Sequence, residues 1–161
     1  MTPVPANPGA LVERNKVIKV YYTGLNYNAV KGSRTDITAN LRIGQPLMLD
    51  IAGHDQGRGL DATLPYSPGT LVPTPVGFVT NIPKGAEQGG WVEVCVEGPC
   101  LVLTNDASVA IGDSLAVAAG SAFVSDEASP TFLGKAVALE ASADTNEKLI
   151  QAIVFSQAWG A

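Results

Sequence analysis

The chain has 161 residues, of which 46% are hydrophobic and 16% are charged, and its net charge is −5. This length suits one domain, or two small ones that share a core, and the charged fraction is well below the usual quarter or so. The basic residues form no cluster, so we expect no nucleic-acid partner, and no apolar run reaches the roughly 18–20 residues of a membrane helix, so we expect no membrane partner.

The chain begins with a proline-rich stretch that contains Pro3, Pro5 and Pro8. Because proline fixes φ and has no N–H to donate, we expect an extended arm over residues 1–10, ahead of a single β-rich domain over residues 11–161. The β-branched and aromatic run at residues 16–22 predicts the first strand. The polar residues 26–40 predict a long loop.

Glycine and proline dominate residues 53–75, where we expect no regular structure. A loop of this length inside a compact domain is often a binding segment. We therefore expect Arg58 and Tyr66, which lie in it, to contact another subunit.

Alternating apolar residues predict the remaining strands, and residues 84–90 predict a hairpin loop before Trp91, which we expect in the core. The predicted strands lie over residues 41–51, 91–96, 101–104, 114–118, 122–124, 132–141 and 148–155. Short strands at this spacing predict an all-β fold, an antiparallel barrel or sandwich.

One sequence motif occurs twice in the chain. An apolar residue, a glycine and then alternating apolar positions lie at residues 41–49 and again at 109–117. In each copy an apolar residue before a glycine follows, at Gly77 and at Gly134, and then a closing alternating strand. The pattern predicts an internal duplication, with one copy in residues 39–96, the other in 107–155 and an insertion in the first. Chance repetition in a β-rich chain is the alternative.

Two cysteines flank a predicted hairpin turn at Glu97 and Gly98. Across a two-residue loop, Cys95 and Cys100 would face each other about 4.5–5.5 Å apart, within reach of a disulfide. Two reduced cysteines that serve as small core residues are the alternative, which suits synthesis in the cytoplasm.

The sequence contains no recognisable catalytic, cofactor or metal motif. His54 is the only histidine, and no Gly-x-Ser-x-Gly elbow accompanies it. Asp50, Asp55 and Asp61 lie near it in sequence, but their spacing matches no calcium loop. We therefore predict no enzymatic activity, no cofactor and no metal. An enzyme that uses His54 with Asp55 or Asp61 is an alternative.

A family resemblance is carried by motifs in the second half of the chain. They are Ala107-Ser108-Val109-Ala110-Ile111-Gly112-Asp113-Ser114-Leu115, then Gly120, then Phe132-Leu133-Gly134-Lys135-Ala136-Val137, and last Leu149-Ile150-Gln151-Ala152-Ile153-Val154-Phe155. In this order they resemble the small decoration (cement) proteins of tailed-bacteriophage heads, over roughly residues 90–155 with a weaker echo in 39–96. The resemblance implies a β-rich fold, homotrimers on the capsid exterior, the major capsid protein as partner, and no catalytic residues.

From this resemblance we expect a structural virion protein that binds the outer surface of a phage capsid and stabilises contacts between major capsid protein subunits. We expect synthesis in the host cytoplasm, because the N-terminal residues lack the basic start and apolar block of a secretion signal. The residues expected at the capsid or subunit interface are Pro3, Pro5, Pro8, Arg58, Tyr66 and Trp159, the last as an aromatic anchor near the C-terminal end.

A second reading is a carbohydrate- or receptor-binding β-module of a phage tail or fibre. In that reading an exposed tryptophan, Tyr21, Tyr22 and Tyr27 form a platform on which sugar rings stack.

Overall fold

The computed structural model describes residues 15–28, 33–36, 40–49, 59–64, 75–117, 124–126, 136–143 and 146–155. Every regular element in these ranges is a β-strand, so the all-β prediction is confirmed. Within the same ranges no helix is long and apolar enough to cross a membrane. The strands are β1 Lys16–Asn28, β2 Ser33–Asp36, β3 Pro46–Leu49, β4 Asp61–Leu64, β5 Gly77–Asn81, β6 Gly90–Thr104, β7 Ser114–Val117, β8 Val124–Asp126, β9 Ala136–Ala138 and β10 Lys148–Val154.

The longest strand, β6, has 15 residues and runs where the sequence predicted a hairpin. Its first half pairs with β1 and β5, and its second half pairs with β10 and β8. Gly98 has φ 96°, a conformation that glycine adopts without steric cost and that lets the strand bend. The predicted hairpin between residues 96 and 101 is therefore wrong, because each half of β6 finds partners elsewhere in the chain.

The strand pairings close into two five-stranded rings that share β6. The first ring has the order β1-β4-β3-β5-β6, and the second has the order β6-β8-β7-β9-β10. In each ring one pair is parallel, β1 with β4 and β6 with β8, and the others are antiparallel. Strand directions cannot alternate all the way around a closed ring with an odd number of strands. The fold is therefore a pair of mixed barrels rather than a purely antiparallel one.

Two hydrophobic cores lie on opposite sides of a wall that β5 and β6 form. Val79 and Val94 belong to the first core, inside the first ring, whereas Phe78 and Cys95 belong to the second core. Successive side chains of a strand point to opposite faces. Both faces of this wall are thus buried at these positions, which explains why apolar residues follow one another directly at Phe78-Val79 and Val94-Cys95.

The repeated motif occupies the same place in both rings, in the turn before β3 and in the turn before β7. Gly44 and Gly112 have φ of 82° and 93°. The N–H of Gly44 donates to Val79 O at 2.8 Å, and the N–H of Gly112 donates to Ala138 O at 2.8 Å. The two turns are therefore tied to β5 and to β9 in the same way.

The residue after each glycine caps its turn. The Oε1 atom of Gln45 accepts a hydrogen bond from the N–H of Arg42 at 2.8 Å. The Oδ2 atom of Asp113 accepts one from the N–H of Ala110 at 2.7 Å. Glutamine and aspartate thus accept the same kind of capping hydrogen bond at equivalent positions, which explains why the motif is recognisable although the residues differ.

The strand register corrects the alignment of the two copies at their second glycine. Leu47 pairs with Gly77, and Leu115 pairs with Ala136 rather than with Gly134. A Cβ on Gly77 would lie 2.4 Å from Cys95 O, so this position needs a glycine because the backbone of β6 lies close to it in the first ring. Each ring also begins earlier than residues 39 and 107, because its first strand is β1 or the second half of β6.

Two predicted loops contain strands. Within residues 26–40, β2 pairs with the end of β1 as a hairpin. Within residues 53–75, β4 lies between β1 and β3 and is buried at all four positions. Its sequence, Asp-Ala-Thr-Leu, alternates polar and apolar residues, but four residues are too few for this pattern to stand out among the surrounding glycines and prolines.

The turn of the first ring packs on the outer face of the second. The N–H of Leu103 donates to Gly44 O at 2.9 Å, and a Cβ on Gly44 would lie 2.5 Å from Leu149 Cδ2. Beside it, the guanidinium of Arg42 binds both carboxylate oxygens of Glu147. We refer to Arg42, Gly44, Leu103, Glu147 and Leu149 as the internal docking contact.

Alanine substitutions at the two equivalent glycines test this contact. Both Gly44→Ala and Gly112→Ala place a Cβ in a left-handed conformation, which costs about 1–2 kcal/mol. Only Gly44→Ala adds a clash, since a Cβ there would lie 2.8 Å from Leu103 N, whereas a Cβ on Gly112 would meet nothing within 4 Å. Urea denaturation should give the Gly44→Ala chain a free energy of unfolding about 1–3 kcal/mol lower than the Gly112→Ala chain. Equal losses would contradict the packing.

Candidate functional site

An aromatic pair stands on the outer face of the first ring. Tyr21 of β1 and Trp91 of β6 are directly opposite each other in register. Their ring centroids lie 5.5 Å apart, edge to face at 84°, a favourable geometry for two aromatic rings. Trp91 remains 45% exposed. Its predicted place in the core is wrong, because the inward positions of this half of β6 are Val92 and Val94.

A short segment before β4 borders the pair. The N–H of Tyr21 donates to Leu60 O at 2.8 Å, and a Cβ on Gly59 would lie 3.6 Å from Trp91 Cη2. Leu60 is itself exposed. We refer to Tyr21, Gly59, Leu60 and Trp91 as the aromatic surface.

Charged and polar groups lie along one side of the aromatic surface. Lys19 and Glu93 form the next outward-facing pair in the β1–β6 register. Glu93 is held in place, because the amide of Asn81 donates to its carboxylate at 3.1 Å. An exposed apolar centre with a polar edge is the usual form of a protein interface.

The second reading placed Tyr22 in a stacking platform, and the structure contradicts it. Tyr22 is fully buried in the first core, and burial raises its pKa to about 12. Within the described part of the chain its hydroxyl has no hydrogen-bond partner. The side chain of Tyr27 lies outside the described residues. Among the side chains that the structure describes, Tyr21 and Trp91 remain available for such a platform.

The two cysteines meet at the bend of β6 and not across a hairpin. Cys95 belongs to the second core, and Cys100 packs against it from a half-buried position. A hydrogen bond between the thiols, together with burial, raises the pKa of Cys100 well above its ordinary value. The Cys95 thiol also donates to Glu97 O at 3.4 Å. No disulfide joins the two cysteines in this structure, and the raised pKa of Cys100 favours its protonated form, which reacts slowly.

The other residues singled out from the sequence are not brought together in the described part of the chain. Most of them lie outside the described residues, namely Pro3, Pro5, Pro8, Asp50, His54, Asp55, Arg58, Tyr66 and Trp159. Asp61 is described, and it is buried in β4. Among the described residues no three histidine, cysteine, aspartate or glutamate side chains group as metal ligands.

The prediction that Trp91 lies in the core missed a signal for its exposure. Val92 and Val94 are apolar and alternate with Trp91 and Glu93, so the period of two already assigns Trp91 to the polar face. The prediction rested on the position of Trp91 at the start of a strand and did not use this pattern. Leu60 carried no signal, because it precedes a strand that the sequence does not reveal.

Comparison with known proteins gives no match for this chain, whether with family models, curated proteins or solved structures.

The buried hydroxyl of Tyr22 predicts a pH dependence of stability. Its pKa is about 12 in the folded chain against 10.0 for a free tyrosine. The unfolded chain therefore loses this proton first, so the associated stability is fully present below about pH 10 and is lost as the pH rises towards about 12. The Tyr22→Phe chain should lack this loss in urea denaturation across that range. Tyr21→Phe, a matched control, should retain it, and an unchanged alkaline loss in Tyr22→Phe would contradict the assignment.

Proposed function

We propose that this chain is a structural virion protein that binds the outer surface of a phage capsid, forms homotrimers there and stabilises contacts between major capsid protein subunits. The observation that carries the proposal is the aromatic surface. Tryptophan and tyrosine dominate the binding energy of protein interfaces, and here both stand on a strand pair that closes a barrel. Such a surface is suited to docking on a partner.

The position of the resemblance motifs supports the proposal. Residues 109–115 form the turn before β7 and the start of that strand, Ala136 and Val137 lie in β9, and residues 149–154 lie in β10. The motifs thus belong to successive elements of one ring. A likeness to decoration proteins that covers a complete folded unit is more informative than one scattered over the chain.

The physical character of the chain fits attachment to a shell. Only 16% of its residues are charged, so little charge has to be desolvated when a large part of the surface is covered. A contact of moderate strength is sufficient for a trimer, because simultaneous attachment at several sites multiplies the affinities. Beyond the aromatic surface, large apolar side chains are also exposed at Val17, Leu49, Leu101 and Leu139.

A carbohydrate- or receptor-binding module is the second candidate. The exposed indole of Trp91 favours it, because sugar rings stack on such faces. The edge-to-face geometry counts against it, since Tyr21 and Trp91 stand at 84° and do not form one flat platform. Glycan-dependent quenching of tryptophan fluorescence, without binding to shells, would establish this candidate in place of the first.

Shell binding tests the proposal directly. The full chain, added to particles assembled from the major capsid protein alone, should cosediment with saturable stoichiometry and raise the temperature at which the particles rupture. Deletion of residues 1–10 should weaken attachment about tenfold or more, equivalent to about 1.4 kcal/mol. The melting temperature should stay nearly unchanged, because the arm has little apolar area to add to a core.

A chain with a glycine-serine stretch of equal length in place of residues 1–10 is the matched control, and it should behave like the deletion. Failure to cosediment, or particles that rupture at the same temperature with and without the protein, would refute the proposal. Parallel losses of attachment and melting temperature would refute the role of the arm.

A further inference from the structure

The equivalence of the two rings shows that one contact is made within the described part of the chain, whereas its counterpart is not made there. In the internal docking contact, the Gly44 turn of the first ring packs on Leu103 and Leu149, a cross-strand pair on the outer face of the second ring. The equivalent cross-strand pair of the first ring is Tyr21 with Trp91. The equivalent turn of the second ring is the one at Gly112.

The turn at Gly112 is exposed. Ile111 is 70% exposed, the highest value among the large hydrophobic side chains that the structure describes. Its counterpart, Ile43, packs against the first core. A Cβ on Gly112 would meet nothing within 4 Å, whereas a Cβ on Gly44 would clash with Leu149. The second ring therefore presents the same turn without a surface to receive it.

The aromatic surface is the equivalent of the surface that receives the Gly44 turn. It holds the position that Leu103 and Leu149 hold in the second ring, and its Trp91 and Leu60 are exposed. One difference is definite: Leu103 N–H donates to Gly44 O, whereas Tyr21 N–H donates to Leu60 O within its own chain. A docked turn would therefore be held by apolar packing and not by that hydrogen bond.

The electrostatics do not oppose such docking. The ion pair of the internal docking contact joins Arg42 to Glu147. At the equivalent positions stand Ala110 in the turn and Gly89 beside the aromatic surface. Neither is charged, so bringing the two halves together buries no unpaired charge at these positions.

We propose that a second copy of this chain occupies the aromatic surface, with the Ile111 turn of one copy docked on Tyr21 and Trp91 of the next. In the proposed contact each copy docks its turn on the next copy, head to tail. Contacts of this kind generate closed rings or open filaments. Closure at three copies would place six similar barrels around one axis. The inference deepens the proposed function, whose homotrimers require a contact between copies. It is tested without a capsid, so its failure is distinguishable from a failure of shell attachment.

Two glutamate variants of the full chain test the proposal by sedimentation, without shells. The wild-type chain should associate in a concentration-dependent way at or below about 1 mM, the range of a weak contact. Ile111→Glu and Trp91→Glu alone should each remain monomeric. Mixed in equal amounts they should form a heterodimer and nothing larger, because the intact turn of the Trp91→Glu chain meets the intact Trp91 of the other. At the other possible contact, the substituted turn of one chain would face the substituted surface of the other, and the two glutamates would repel each other.

Leu101→Glu is the matched control, since Leu101 is also an exposed apolar residue of β6 but lies outside both halves of the contact. It should associate like the wild-type chain. A monomeric wild-type chain at every concentration would overturn the proposal, and so would association of either single variant. A mixture that stays monomeric while the wild type associates would also overturn it, because the intact turn of one chain would then fail to bind the intact aromatic surface of the other. Formation of the heterodimer demonstrates that both variants fold.

Discussion

The structure depends on the continuity of β6 through its bend. The strand is the last member of one ring and the first member of the other, so the backbone hydrogen bonds of Gly90–Thr104 close both barrels. Alternation carries this dependence into the interior, where Val94 packs in one core and Cys95 in the other. A ring that lost this strand would expose two edges, which are sites of unwanted pairing. Gly98, at φ 96°, is the residue that allows one strand to serve both rings.

The shared strand also accounts for the asymmetry between the two rings. Because the second half of β6 follows directly from the first ring, the turn of the first ring has an outer face of the second ring on which to pack. Nothing in the described part of the chain takes the same position after β10. The turn at Gly112 and the pair Tyr21–Trp91 are left on the surface for this reason. The candidate site is thus a consequence of joining two equivalent units by one strand.

Sequence patterning was reliable where one strand face is buried and the other is not. Residues 149–154 and 114–117 alternate between buried and more exposed positions, and they lie in the strands that were predicted there. The repeated motif was visible because the positive φ of both turns requires glycine, at Gly44 and at Gly112. It was misaligned at Gly134, since the register places Ala136 opposite Leu115. The sequence around Glu97 to Pro99 suits a tight turn and a bend equally, and only the partners of each half decide between them.

The candidate site was less predictable than the fold. Trp91 was placed in the core because it opens a strand, whereas its phase in the strand, opposite to Val92 and Val94, indicates the outer face. The cross-strand partner of Trp91 and its neighbour Leu60 depend on how β1, β4 and β6 assemble, which no local pattern specifies. Residues such as Arg58, Tyr66 and Trp159 stay predictions, because they lie outside the described residues.

The central claim is that one strand holds both rings in a single cooperative unit. Native-state amide hydrogen exchange along β6 tests it most directly, since exchange reports the opening free energy of each segment. The account predicts that Val92 and Val94, in the first half, open with the same free energy as Val102 and Leu103, in the second, and that both respond equally to denaturant. Two distinct opening free energies, with one half of β6 exchanging through an opening that leaves the other protected, would contradict it.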